Sequence, residues 1–95
     1  MKIDPEYESC MSSLRKTCNG IYELGKSNRK SFPTLEECQT YCNEDNNCKF
    51  IFYKESKKSY KENCIKYSAC DQTRITTFIG TTYSKGKKCP GNTWK

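Results

Sequence analysis

Eight cysteines in a chain of 95 residues limit what this sequence can fold into more than any other feature. One domain of that length buries too little surface to be comfortably stable on its core alone. An even cysteine count in a short polar chain points to disulfides, made in an oxidising compartment, as the missing support. A structural zinc site fits less well: there is no histidine and no Cys-x-x-Cys pair, only Cys38 and Cys42 four residues apart. The cysteine count by itself leaves on the order of 100 pairings open.

The most informative stretch runs from Phe32 to Tyr53. Thr34 and Glu37 stand at capping-box spacing, with Pro33 before the cap, so a helix is expected to begin at Leu35. Leu35, Cys38 and Cys42 recur at three and four residues and share one face, which places both thiols on the buried side. Asn43-Glu44-Asp45-Asn46-Asn47 reads as a polar turn, and Cys48 opens the aromatic run Phe50 to Tyr53, read as a central strand.

Thr34-Leu35-Glu36-Glu37-Cys38, a second cysteine at Cys42, an Asn-rich turn, Cys48-Lys49-Phe50-Ile51-Phe52-Tyr53 and a later Cys64 together resemble the PAN/apple domain family. That family includes the N-terminal domains of plasminogen and hepatocyte growth factor and apple domains of parasite surface and secretory-organelle adhesins. The resemblance covers Cys10 to Cys89. It implies a disulfide-rich α+β fold, one helix packed on a curved antiparallel sheet. Carried over residue by residue, it implies bridges Cys38 to Cys64, Cys42 to Cys48 and Cys10 to Cys89, leaving Cys18 with Cys70. Loop-closure entropy then assigns about 3.5 kcal/mol to the Cys38 bridge and about 4.5 kcal/mol to the Cys10 bridge.

Taken in order, residues 1–9 read as a loose lead-in, 10–89 as the domain and 90–95 as a tail or linker. Gly20 to Leu24 has strand character, Lys54 to Glu62 reads as a hairpin tip, and Cys64 to Tyr67 as the returning strand. Thr73 to Phe78 and Thr81 to Ser84 are expected to pair around Ile79-Gly80 or to form one bulged strand. Phe50, Phe52 and Phe78 are expected in the core, with Tyr41, Tyr53 and Tyr67 half-buried. No stretch approaches the roughly 20 apolar residues of a membrane span. The first residues lack a signal-peptide apolar region, so a secreted chain is expected to extend beyond this sequence.

Catalysis finds little in these residues to rest on. Without histidine, acid-base or nucleophilic chemistry falls to carboxylates, lysines and tyrosines, and Glu36 and Glu37 are already explained by the helix N-terminus. Glu44 and Asp45 belong to a turn. Asp45-Asn46-Asn47 lacks the alternating oxygen ligands and terminal Glu of a calcium loop, and no Gly-rich loop precedes a helix. The reading is therefore non-enzymatic and without a cofactor.

Surface recognition is what remains. Seventeen Lys and Arg against eleven Asp and Glu leave a net charge of +6. The positives gather at Lys26, Arg29 and Lys30, at Lys54, Lys57, Lys58 and Lys61, and at Lys85, Lys87 and Lys88. Such clusters suit sulfated polysaccharide or anionic lipid, and equally serve to keep turns soluble, as the interspersed Glu55 and Glu62 suggest. Disulfides argue against nucleic acid as a partner. In the growth-factor relative, basic residues before the helix bind heparin, which makes Lys26, Arg29 and Lys30 the candidates here, although Gln39, Thr40 and Tyr41 replace the family's helix arginines. A neutral-sugar lectin site needs an exposed aromatic, for which Tyr60, Tyr83 and Trp94 are available. None of the seven asparagines begins an Asn-x-Ser/Thr acceptor.

The sequence thus leads to a monomeric extracellular or secretory-organelle docking module for a protein ligand. The alternatives are glycan binding, of a sulfated glycosaminoglycan or in the manner of a galactose-type lectin, or a secreted effector that blocks a host protein such as collagen. The ligand-binding candidates are Lys26, Arg29, Lys30, Lys57, Lys58, Tyr60 and Lys61.

Overall fold

The structure, a computed structural model, describes residues 5–10, 16–25, 27, 29–54, 62–86 and 89. Four strands form an antiparallel sheet in the order β1 (Tyr7–Ser9), β6 (Gly80–Lys85), β3 (Phe50–Lys54), β4 (Cys64–Tyr67). A second sheet pairs β2 (Lys16–Cys18) with β5 (Thr73–Ile75). The helix α1 spans Leu35–Asn43, and a single 3-10 turn spans Gly20–Tyr22.

Strand alternation sorts the side chains of β3 between two cores. Phe50 and Phe52 point to one face, where they meet Ile65, Tyr67, Cys10, Cys18 and Cys70. Ile51 points to the other and meets Tyr7, Cys38, Cys42, Cys48 and Cys64, with Leu35 and Tyr53 packed alongside. Helix α1 lies against the second face, and β2, with β5 paired to its side, lies against the first. The main sheet is therefore covered on both sides, which explains why every residue of β4 is buried.

Four disulfides close this arrangement: Cys10–Cys89, Cys18–Cys70, Cys38–Cys64 and Cys42–Cys48. Three of them, Cys10–Cys89, Cys38–Cys64 and Cys42–Cys48, are the pairs that the resemblance implies, and Cys18–Cys70 is the pair it leaves over. Two of them fasten α1, one to the start of β4 and the other to the residue that leads into β3. The other two tie the second sheet together and join the N-terminal strand to the C-terminal end.

Several expectations are corrected. Tyr7–Ser9 is an edge strand, not part of a lead-in, because Tyr7 buries its ring against the helix side of the sheet. Its hydroxyl donates to Asn43 Oδ1 at 2.8 Å, with the Gln39 carbonyl oxygen at 3.2 Å. Gly20 to Leu24 is not a strand: the Asn19 side chain accepts from the Ile21 amide at 3.1 Å, and this local bond turns the chain into the 3-10 helix. Thr73–Ile75 and Gly80–Lys85 neither pair nor merge; they belong to different sheets, since the Cys18–Cys70 bridge holds the start of β5 beside β2. Phe78 is 38% exposed and carries the Lys54 ammonium 3.8 Å from its ring centroid, whereas Tyr67 is fully buried, its hydroxyl accepting from Thr17 at 3.2 Å. Most of the expected hairpin tip, residues 55–61, lies outside the described residues.

Candidate functional site

The helix starts where the sequence places it. The Thr34 hydroxyl accepts from the Glu37 amide at 3.3 Å, and Glu36 and Glu37 occupy the first turn. With Cys38 and Cys42 committed to disulfides on the inner face, Glu37, Thr40, Tyr41 and Glu44 fall on the outer one at helical spacing. Two bridges four residues apart prevent the helix from rolling on the sheet, so this outer stripe is presented in a fixed direction.

A second rail runs beside it. Lys30 exchanges both backbone hydrogen bonds with Cys64, at 2.9 and 3.2 Å, and so adds itself to the edge of β4. Two residues on, the buried Asn63 side chain accepts from the Phe32 amide at 2.8 Å and donates to the Phe32 carbonyl at 2.7 Å. The Tyr53 hydroxyl donates to the same carbonyl at 3.3 Å. Phe32 is thereby held with its ring 5.3 Å from that of Tyr41, tilted by 50°.

Between the rails lies a groove of about 360 Å³ lined by Lys30, Phe32, Glu37, Thr40, Tyr41 and Glu44. Tyr41 is its centre. The Lys30 ammonium stands 5.1 Å and the Lys66 ammonium 4.1 Å from the ring centroid. Lys66 is buried and paired with Asp45 at 2.9 Å. The groove can take an apolar or cationic group on its aromatic floor and a hydrogen-bonding group at either wall.

A larger cavity of about 450 Å³ lies at one end of the main sheet, where Lys49, Lys85, Glu6 and Asp71 surround Phe50. Residues 87 and 88, which follow Gly86 of its lining in the sequence, lie outside the described residues. The helix groove, built wholly from described elements and floored by two aromatic rings, is the better-defined candidate.

The structure brings only part of the expected basic sites into view. Lys26, Lys57, Lys58, Tyr60 and Lys61 lie outside the described residues, as do Lys87, Lys88 and Trp94. Arg29 makes a two-point ion pair with Glu23 at 2.6 and 2.7 Å, and that hydrogen-bonded carboxylate raises its pKa. Its charge is already answered within the chain. Lys30 faces the groove, in company with two glutamates. Tyr83 packs against the helix-side core.

The sequence reading did not single out Phe32, Glu37, Thr40, Tyr41 and Glu44 as a site. The available signal was the outer stripe at 37, 40, 41 and 44, opposite Leu35, Cys38 and Cys42.

Fold and groove together define a small disulfide-rich α+β domain with a preformed surface groove. Compared with known proteins, the chain matches no family model, no curated protein and no solved structure. No helix among the described residues is long and apolar enough to cross a membrane.

Proposed function

We propose that this chain is an extracellular, non-catalytic docking module of the PAN/apple type, and that it holds a protein ligand in the groove between Lys30–Phe32 and α1. One observation carries this reading: both walls are locked to the sheet before any ligand arrives. The helix wall is fastened by Cys38–Cys64 and Cys42–Cys48, and the other by the hydrogen bonds of Lys30 to Cys64 and of Phe32 to Asn63. A wall that need not be ordered on binding costs the complex little conformational entropy.

The disulfide framework supports an oxidising, extracellular setting. Polyanion binding through the pre-helix cluster gains less support, since Arg29 is neutralised by Glu23 and two carboxylates line the groove beside Lys30. The test is a selection from a displayed library of extracellular protein fragments, run beside an array of neutral and sulfated glycans. The reading expects fragments to be enriched on the oxidised domain and lost on reduction. Binding confined to the glycan array overturns it.

A further inference from the structure

The chain is basic overall, yet the charged residues of segment 34–47 are Glu36, Glu37, Glu44 and Asp45, all acidic. Asp45 is consumed by Lys66. Glu37 and Glu44 stand two helical turns apart, about 10 Å along the axis, one towards each end of the groove. Among the described residues neither is in an ion pair. Lys30 supplies one positive charge against these two carboxylates, and it lies over the Tyr41 ring. The groove's own lining thus leaves negative charge uncompensated, and it shows that the aromatic floor accepts an ammonium.

Resting on the docking reading above, we infer that the ligand segment is basic: an extended stretch of the partner protein that sets Lys or Arg side chains against Glu37 and Glu44, with their aliphatic stems on Phe32 and Tyr41. Charge complementarity of this kind selects partners and speeds encounter more than it adds affinity. Long cationic side chains suit the site because their stems cover apolar surface while their heads reach the rim.

The experiment is an amide chemical-shift titration of the oxidised domain with three nine-residue peptides of Gly and Ser. They carry two Lys, two Gln or two Glu, spaced three residues apart. The inference expects the Lys peptide to shift Lys30, Phe32, Thr40 and Tyr41 and the effect to fade with salt. It also expects the Glu37→Gln/Glu44→Gln double variant to bind about tenfold more weakly. Glutamine keeps the capping geometry at position 37, so an unchanged amide pattern in the free variant certifies the fold. Groove shifts as large with the Glu or Gln peptide overturn the inference and leave the docking groove standing. Shifts confined to another surface overturn both. No shift with any peptide overturns the inference, and the fragment selection then decides the docking reading alone.

Discussion

Lys66 Nζ lies 2.9 Å from an Asp45 carboxylate oxygen and 4.1 Å from the centroid of the Tyr41 ring. The contact joins the turn after α1 to β4 and places a buried ammonium beneath the groove. Asp45 is held below the ordinary carboxylate pKa, first by the hydrogen bond from Lys66 and then by the Asn47 amide. For a carboxyl lowered in the folded state, the stability it confers is present above its unfolded pKa of about 4 and is lost as pH falls through the folded value. Urea unfolding at a series of pH values should show Asp45→Asn to be less stable than the parent at neutrality and to lose less on acidification. Lys66→Met should stay closer to the parent than Asp45→Asn, because it removes the buried charge and not its partner alone. Equal acid slopes for parent and Asp45→Asn would contradict this role.

Gly80 opens β6 opposite Lys54, at the end of its antiparallel pairing with β3. A Cβ there would sit 2.6 Å from the Tyr53 carbonyl oxygen and 2.8 Å from the Phe52 ring. The first obstacle is backbone and cannot swing aside. Gly80→Ala is expected to cost about 1–3 kcal/mol by overpacking, read as a lower urea midpoint at unchanged slope.

The two bridges that fasten α1 differ in the loop they close, with sequence separations of 26 for Cys38–Cys64 and 6 for Cys42–Cys48. Loop entropy gives about 3.5 kcal/mol for the longer and about 2.4 kcal/mol for the shorter. Replacing each pair by alanine should therefore destabilise in that order. A non-reducing peptide map of the parent checks the pairing itself, and either cysteine found linked elsewhere would contradict the structure.

Truncating the helix cap tests how much of α1 is set locally. Thr34→Ala removes the acceptor for the Glu37 amide and is expected to cost about 1 kcal/mol. The loss should appear as faster amide exchange in the first turn, while Cys42 and Asn43 keep their protection.

What was legible in the sequence was what neighbouring residues decide. Thr34 and Glu37 announce the helix start, Leu35, Cys38 and Cys42 its inner face, and the run Phe50 to Tyr53 the central strand; all are local patterns. Strands β1, β2 and β5 are three residues each, too short to carry a period, and exist because distant partners complete them. Thr73–Ile75 has the residues to pair with Gly80–Lys85, but the covalent link of Cys70 to Cys18 and the Asn19 amide donating to the Gln72 carbonyl at 2.9 Å direct it to the other sheet. The groove was hidden for the same reason. Phe32 and Tyr41 meet because Asn63, 31 residues away, holds the Phe32 backbone from both sides. Helical spacing gives the Glu37, Thr40 and Glu44 stripe, but not the second wall.

The most direct measurement of the central claim compares two arginine substitutions for binding of a fragment selected on the parent domain, followed by biolayer interferometry. Thr40 is exposed on the groove side of α1, where arginine keeps helix propensity and fills the groove. Ile75 is 84% exposed on β5, in the second sheet, which covers the opposite face of the main sheet. Docking in the helix groove predicts that Thr40→Arg weakens binding by at least about tenfold, while Ile75→Arg leaves it unchanged. Full binding by Thr40→Arg together with loss in Ile75→Arg would contradict the account and move the site to the second sheet.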